Sequence, residues 1–343
     1  MRPLSVSIAA LLLCCFAASA AAKIGASQIG IVMNTQDADS VLIANYYQKK
    51  RGIPQANIIR ISMPAGQSSI SEKKFNEIYR QIKIQTPDAV QYYALAWSKP
   101  FKVGCMSMTS AVAFGFDKAF CAQGCKATKL SAYYNSDTVM PGRDLNIRPS
   151  MMLAGRSIKQ VYAMIDRGAA SDHTKPEASV YLMSTSDKAR NRRSWRYPVV
   201  KSMLSERINV ELINSDVLQD KDDVMFYFTG LVHVKKIHSN KFLPGAIADH
   251  LTSSGGNLFG DKQMSILNWI EAGATASYGT VVEPCAFTQK FPNPGIVVER
   301  YLNGESLIEA YWKSVAWPGQ GVFVGEPMAS PYAETNNLSS KER

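Results

Sequence analysis

Val224–Gly230 reads VMFYFTG and Phe242–Gly256 reads FLPGAIADHLTSSGG. The first is a continuous apolar run that stops on glycine, as a strand buried on both faces does. The second follows a loop rich in Lys and His and closes on hydroxyls and a glycine pair. Beyond it, Met264–Glu271 (MSILNWIE) reads as helix and Ala274–Val282 as a strand, with Glu283-Pro284-Cys285 at that strand's C-terminal end. Leu307–Ser314 is predicted helical and Gly321–Gly325 (GVFVG) forms a final strand. This alternation predicts an α/β fold, a three-layer sandwich whose mostly parallel sheet is covered on both faces. Ligands of such sheets bind where strands end at their carboxyl side, so Gly230, Thr252–Gly256 and Cys285 are candidates for that edge.

The same rhythm runs upstream. Ile29–Met33 is a strand, and Asp37–Arg51 a helix capped near Asp37 or Asp39 and closed by Gly52 ahead of Pro54. Asn57–Ser62 is the next strand, Ser71–Ile84 a helix and Val90–Trp97 (VQYYALAW) a strand. From residue 99 to 149 the pattern dissolves into Gly, Ser, Thr and cysteines, which marks a long insertion. Regularity returns with a helix at Ser157–Arg167, strands at Ser179–Met183 and Asn209–Asn214, and a short helix over Tyr197–Arg207 between them.

The N-terminus addresses the chain to export. Arg2, the apolar stretch Ile8–Ala17 and the small residues ASAAA make a secretory signal peptide over residues 1–22. The apolar stretch falls well short of the roughly 20 residues a spanning helix needs. No integral membrane span is expected after cleavage, and the protein is placed in the periplasm or outside the cell. Residues 23–333 then form the folded domain, and 334–343 a polar, unpatterned tail. Of six cysteines, Cys14 and Cys15 leave with the leader. An oxidising compartment favours a disulfide among Cys105, Cys121 and Cys125; with Cys285 three full pairings are open, and Cys285 is either bonded in one of them or left free by local pairing of two of the others. Zinc is the rival reading, weakened by the spacing of Cys121 and Cys125 and by the lack of a nearby histidine. The net charge is +10, densest at Lys188, Arg190, Arg192, Arg193 and Arg196, with Trp195 and Tyr197 interleaved. Aromatics among arginines suit stacking on bases, yet an exported protein meets acidic polysaccharide and anionic lipid rather than nucleic acid. The plain reading of this cluster is a solvated loop and helix start.

Several stretches carry a resemblance. The opening strand, helix and KKRGIP turn, Arg148–Asp166 (RPSMMLAGRSIKQVYAMID), GESLIEA from Gly304 and Gly325-Glu326-Pro327 resemble, in this order, gingipain-type cysteine peptidases of the caspase-like fold. LPGAIADHLTSSGG, AGATASYGTVVEPCAFTQKFPNPG and LIEAYWKSVAWPGQGVFVGEP are more closely similar to an uncharacterised family of exported bacterial proteins found with exosortase protein-sorting systems. That likeness implies a context, surface protein sorting or exopolysaccharide production, and no particular reaction. The chain ends without the apolar sorting signal of exosortase substrates, so an accessory role is expected.

The gingipain-type likeness implies a histidine in a Gly-His-Gly turn ending one strand and a cysteine ending the next. Here the first turn reads Thr229-Gly230-Leu231, and the next strand ends in Leu251-Thr252-Ser253-Ser254-Gly255-Gly256. The dyad is absent by position. A displaced pair is the alternative: Cys285 with His250 or His233, since a thiol near its ordinary pKa needs an imidazole beside it to react. Thr252, Ser253, Ser254, Gly255 and Gly256 are candidate binding residues whose backbone N–H groups suit an anion. No phosphate-binding loop, dinucleotide fingerprint or HExxH occurs, and no cofactor or metal is implied. The reading of Asp37 and Asp39 is helix capping rather than a cation site. The expectation is an exported, non-catalytic binding or accessory protein, its partner a surface protein or an acidic polysaccharide. A cysteine hydrolase using Cys285 is the alternative.

Overall fold

A computed structural model describes residues 24–335. The signal peptide and all but the first two residues of the tail lie outside the described residues. Thirteen strands are formed among the described residues: β1 (Ile29–Asn34), β2 (Ile58–Ile61), β3 (Ser69–Ile70), β4 (Tyr92–Leu95), β5 (Lys102–Val103), β6 (Met106–Ser107), β7 (Ser150–Met152), β8 (Ser179–Ser184), β9 (Asn209–Asn214), β10 (Val224–Thr229), β11 (Phe242–His250), β12 (Ala276–Thr280) and β13 (Gly321–Gly325). Ten of them make one sheet in the order β2-β1-β4-β7-β13-β12-β11-β10-β8-β9, and β3, β5 and β6 make a small second sheet. The large sheet is mostly parallel; β13 runs antiparallel to β12 and reaches β7 through a bridge at Val324 and Met152. Burial follows position. The interior strands β1, β4, β10, β12 and β13 are buried at every residue, while the edge strand β9 (NVELIN) buries Val210 alone and exposes Asn209, Leu212 and Asn214.

The order β2-β1-β4 makes the chain step outward from β1 and then back across it. Right-handed crossovers therefore put the helices Ala38–Arg51 and Glu72–Gln85 on opposite faces. Asp37 caps the first helix by accepting from the Asp39 N–H, and Gly52 closes it in the left-handed conformation at φ 62°. The end of that helix is tied to the segment after β13. Glu326, fully buried, accepts from Tyr47 Oη at 2.7 Å and Arg51 Nε at 3.0 Å, and Arg51 also bonds Asp172 at the end of the helix Ile158–Ser171. The loops after β4, β7 and β11 gather on one edge: Phe259 lies 6.4 Å from Phe101 and under the Lys99 ammonium, and Arg156 donates to Asn268 at 3.1 Å.

Three α-helices among the described residues were not legible in the sequence, the single turn Pro141–Asp144 being the shortest. Pro294–Leu302 begins at the end of the FPNP run (Phe291–Pro294), for which no element was predicted; Asn293 accepts from Gly295 N–H and proline takes the first helical position, which suits its missing N–H. Met108–Phe114 lies inside the expected insertion, capped by Ser107. Ser107 and Thr109 donate to the Gly321 carbonyl at 2.6 and 2.7 Å, so much of residues 99–149 is seated against β13. No helix among the described residues is long and apolar enough to cross a membrane.

Candidate functional site

β8 lies between β9 and β10, so the chain steps outward after β8 and returns across it. The carboxyl ends of β8 and β10 are therefore a topological switch point, where open α/β sheets keep their ligands. β10 and β11 are parallel neighbours with Thr229 opposite His250, which brings the two expected site turns side by side. The loop after β8 closes over them. A Cβ on Gly230 would stand 2.0 Å from the Arg190 carbonyl oxygen, so backbone fills the space where a side chain would project. Thr185 Oγ1 donates to the Gly230 carbonyl at 2.8 Å, and Arg190 Nε donates to Thr252 Oγ1 at 3.2 Å.

Arg193, read from the sequence as part of a solvated cluster, is buried instead. Its guanidinium donates to Thr229 O at 2.8 Å, Asp249 Oδ1 at 2.6 Å and Pro292 O at 3.2 Å. Burial raises the Asp249 carboxyl above its ordinary range, against the pull of the Arg193 charge. The arginine is the bolt that holds the turn down on β10 and β11.

His250 is placed near the candidate turn but is not a base. It is fully buried, Nδ1 accepts from the Trp269 indole N–H at 2.9 Å, and Nε2 donates to Met264 O at 3.0 Å. Both ring nitrogens are occupied, and burial pushes its pKa down to about 3. His233 is exposed. The turn after β11 is satisfied internally as well. Gln263, which the sequence gave no reason to single out, accepts from Thr252 Oγ1 and from the Ser254 N–H, each at 2.8 Å. Thr280 Oγ1 donates to Ser253 O at 3.1 Å, and the Gly256 N–H donates to Thr280 O at 2.9 Å. A Cβ on Gly256 would stand 2.3 Å from Gly279 O, so the glycine pair serves close packing on β12. Gly255 lies against the His250 ring. The anion-binding role expected of Thr252–Gly256 loses the Ser254 and Gly256 donors to these bonds.

Cys285 is not a free thiol. It is disulfide-bonded to Cys125, and Cys105 is bonded to Cys121, each pair with Cα atoms 5.4 Å apart. The local disulfide expected among the first three cysteines is formed. The free Cys285, and with it the displaced Cys285–His pair, is corrected: the chain of residues 99–149 folds back over the end of β12 and brings Cys125 there. The same pairing replaces the zinc reading. Glu283, buried, accepts from the Cys285 N–H at 3.1 Å and from the Ala286 N–H, and its carboxylate lies 3.8 Å from Lys290 Nζ. Burial lowers the Lys290 pKa, with Glu283 acting in the other direction.

What stays open is the outer side of the turn. A groove of about 510 Å³ runs between Lys188, Arg192 and Trp195 on the turn and Cys285, Phe287 and Gln289 on the opposite loop. Trp195 is 68% exposed, with the Arg196 guanidinium 4.6 Å from its ring. A smaller pocket of about 80 Å³ shares Thr288 and Gln289 with the groove and adds Arg193, Arg196 and Asn293. At the other switch point, beyond β1 and β4, Asp37 and Asp39 border a shallow crevice with Trp97 and Lys99. Among the described residues no group of three or more His, Cys, Asp or Glu stands together to hold a metal ion. No family model matches the chain, and no curated protein or solved structure is significantly similar to it.

Proposed function

We propose that this is an exported, non-catalytic binding protein of the caspase-like fold, related to the exosortase-associated family, which holds an acidic surface polymer in the groove between Lys188–Trp195 and the Cys285 loop. The observation that carries this reading is the closed corner at Gly230. The position that would present an imidazole is filled by the Arg190 backbone, and Cys285, the cysteine nearest that corner in the chain, is committed to a disulfide. A groove with two exposed cations and an exposed indole suits a chain of carboxylated sugars, which offers both negative charge and C–H faces. The experiment is retention on immobilised polygalacturonate. Retention is expected to weaken with salt, and Lys188→Glu with Arg192→Glu should lower affinity about tenfold at low ionic strength without loss of fold. Unchanged retention, or peptide hydrolysis by protein with both disulfides intact, would remove the proposal.

A further inference from the structure

The short helix Tyr197–Leu204 and the turn Asn191–Arg196 before it carry a second surface, which adjoins the groove and shares Arg192 and Trp195 with it. Tyr197, Val200 and Leu204 face the core. The opposite side exposes Trp195, Val199 and Met203, by 68%, 60% and 54%. Val199 and Met203, four apart on the helix, form a stripe on one face, and Trp195 stands on the 3-10 turn that leads into that helix. Three large apolar side chains side by side in water are unfavourable unless something covers them.

The surroundings of the stripe indicate what covers it. Arg192, Arg196, Lys201 and Arg207 are exposed on the same turn and helix and just after it, and from Lys188 to Arg207 Glu206 is the lone acidic residue. A second copy of the chain would set these cations against one another on a molecule of net charge +10. An acidic polymer in the groove would meet Arg192 and Trp195 and leave Val199 and Met203 wet. A bilayer with anionic headgroups answers both, because its phosphates lie at the level of the cations and its acyl boundary lies beneath the stripe. Trp195 heads the stripe, and indoles favour that interface. We infer that the Trp195–Val199–Met203 face docks the protein reversibly on an anionic membrane surface.

The test uses the exported, purified protein and vesicles of phosphatidylcholine with or without phosphatidylglycerol. Trp97, Trp269 and Trp312 are buried and Trp317 is half-buried, so the part of the emission change that Trp195→Phe removes is the part that reports on Trp195. Expected are binding to the phosphatidylglycerol vesicles alone, weakening with salt, a blue shift of emission and protection from acrylamide. Val199 and Met203 do not line the groove, so Val199→Ser with Met203→Ser should lower vesicle affinity about tenfold and leave polygalacturonate retention unchanged. Failure of the groove reading alone would leave these vesicle results intact. No vesicle binding overturns the inference. So does binding without an emission shift or indifferent to the two substitutions, which is adhesion by charge only. A concentration-dependent dimer broken by the same substitutions would assign the stripe to a second copy instead.

Discussion

Gly230 and His250 stand on neighbouring strands, and each shows what the corner between them has been used for. With 2.0 Å between a would-be Cβ and the Arg190 oxygen, Gly230→Ala can be accommodated only if the turn after β8 lifts. The substitution is expected to destabilise the fold by about 2 kcal/mol or more and to abolish polymer retention, read by urea unfolding and by affinity chromatography. His250 makes a prediction in pH. Its folded pKa of about 3 lies below the unfolded value near 6.5, so the unfolded chain binds the extra proton. The stability contributed by neutral His250 is complete above pH 6.5 and drains away as pH falls toward 3. Between pH 7.5 and 5.5 the loss is expected to be about 1.4 kcal/mol. Urea titrations of wild type and His250→Asn at both values check it: the variant should be less stable at both and flatter between them. That the turn after β10 carries no histidine was legible in the letters Thr229-Gly230-Leu231. The burial of His250 was not, because it depends on Trp269 and Met264 arriving from the following segment.

The turn Thr185–Arg196, the loop after β12 and the span 99–149 decide the shape of the groove, and they were the hardest parts to read. Strands such as VMFYFTG announce themselves because burial on both faces demands unbroken apolarity. Five arginines and lysines in a row of loop residues give no sign that Arg193 will turn inward to Asp249 while Arg192 and Arg196 stay outside. The helix Met108–Phe114 escaped notice for a related reason: MTSAVAF is short and packed on several sides, so it lacks an amphipathic stripe. Gln263 and Gln289 were invisible as lone amides in loops. At this scale the two disulfides carry an expectation of their own. Without reduction no thiol of the four should be alkylated, and Cys125→Ser with Cys285→Ser should cost about 2–4 kcal/mol in urea while loosening the Cys285 wall of the groove.

Across the whole molecule, the alternating pattern gave the α/β class and most of the strands, and the sheet order followed from no local signal. It places two switch points along one ten-stranded sheet, one closed by the Arg190 turn and one bordered by the Asp37 cap. The cysteine pairing has a consequence for how such a chain is made. In order of synthesis the cysteines among the described residues are 105, 121, 125 and 285, and the bonds join the first to the second and the third to the fourth. A chain threaded N-terminus first into an oxidising compartment can thus reach its final linkages by joining each emerging thiol to the next one waiting. Nothing has to be undone. Production in a host that lacks a disulfide-shuffling enzyme is accordingly expected to give the same two linkages in the same yield, as peptide mapping of the unreduced protein would report.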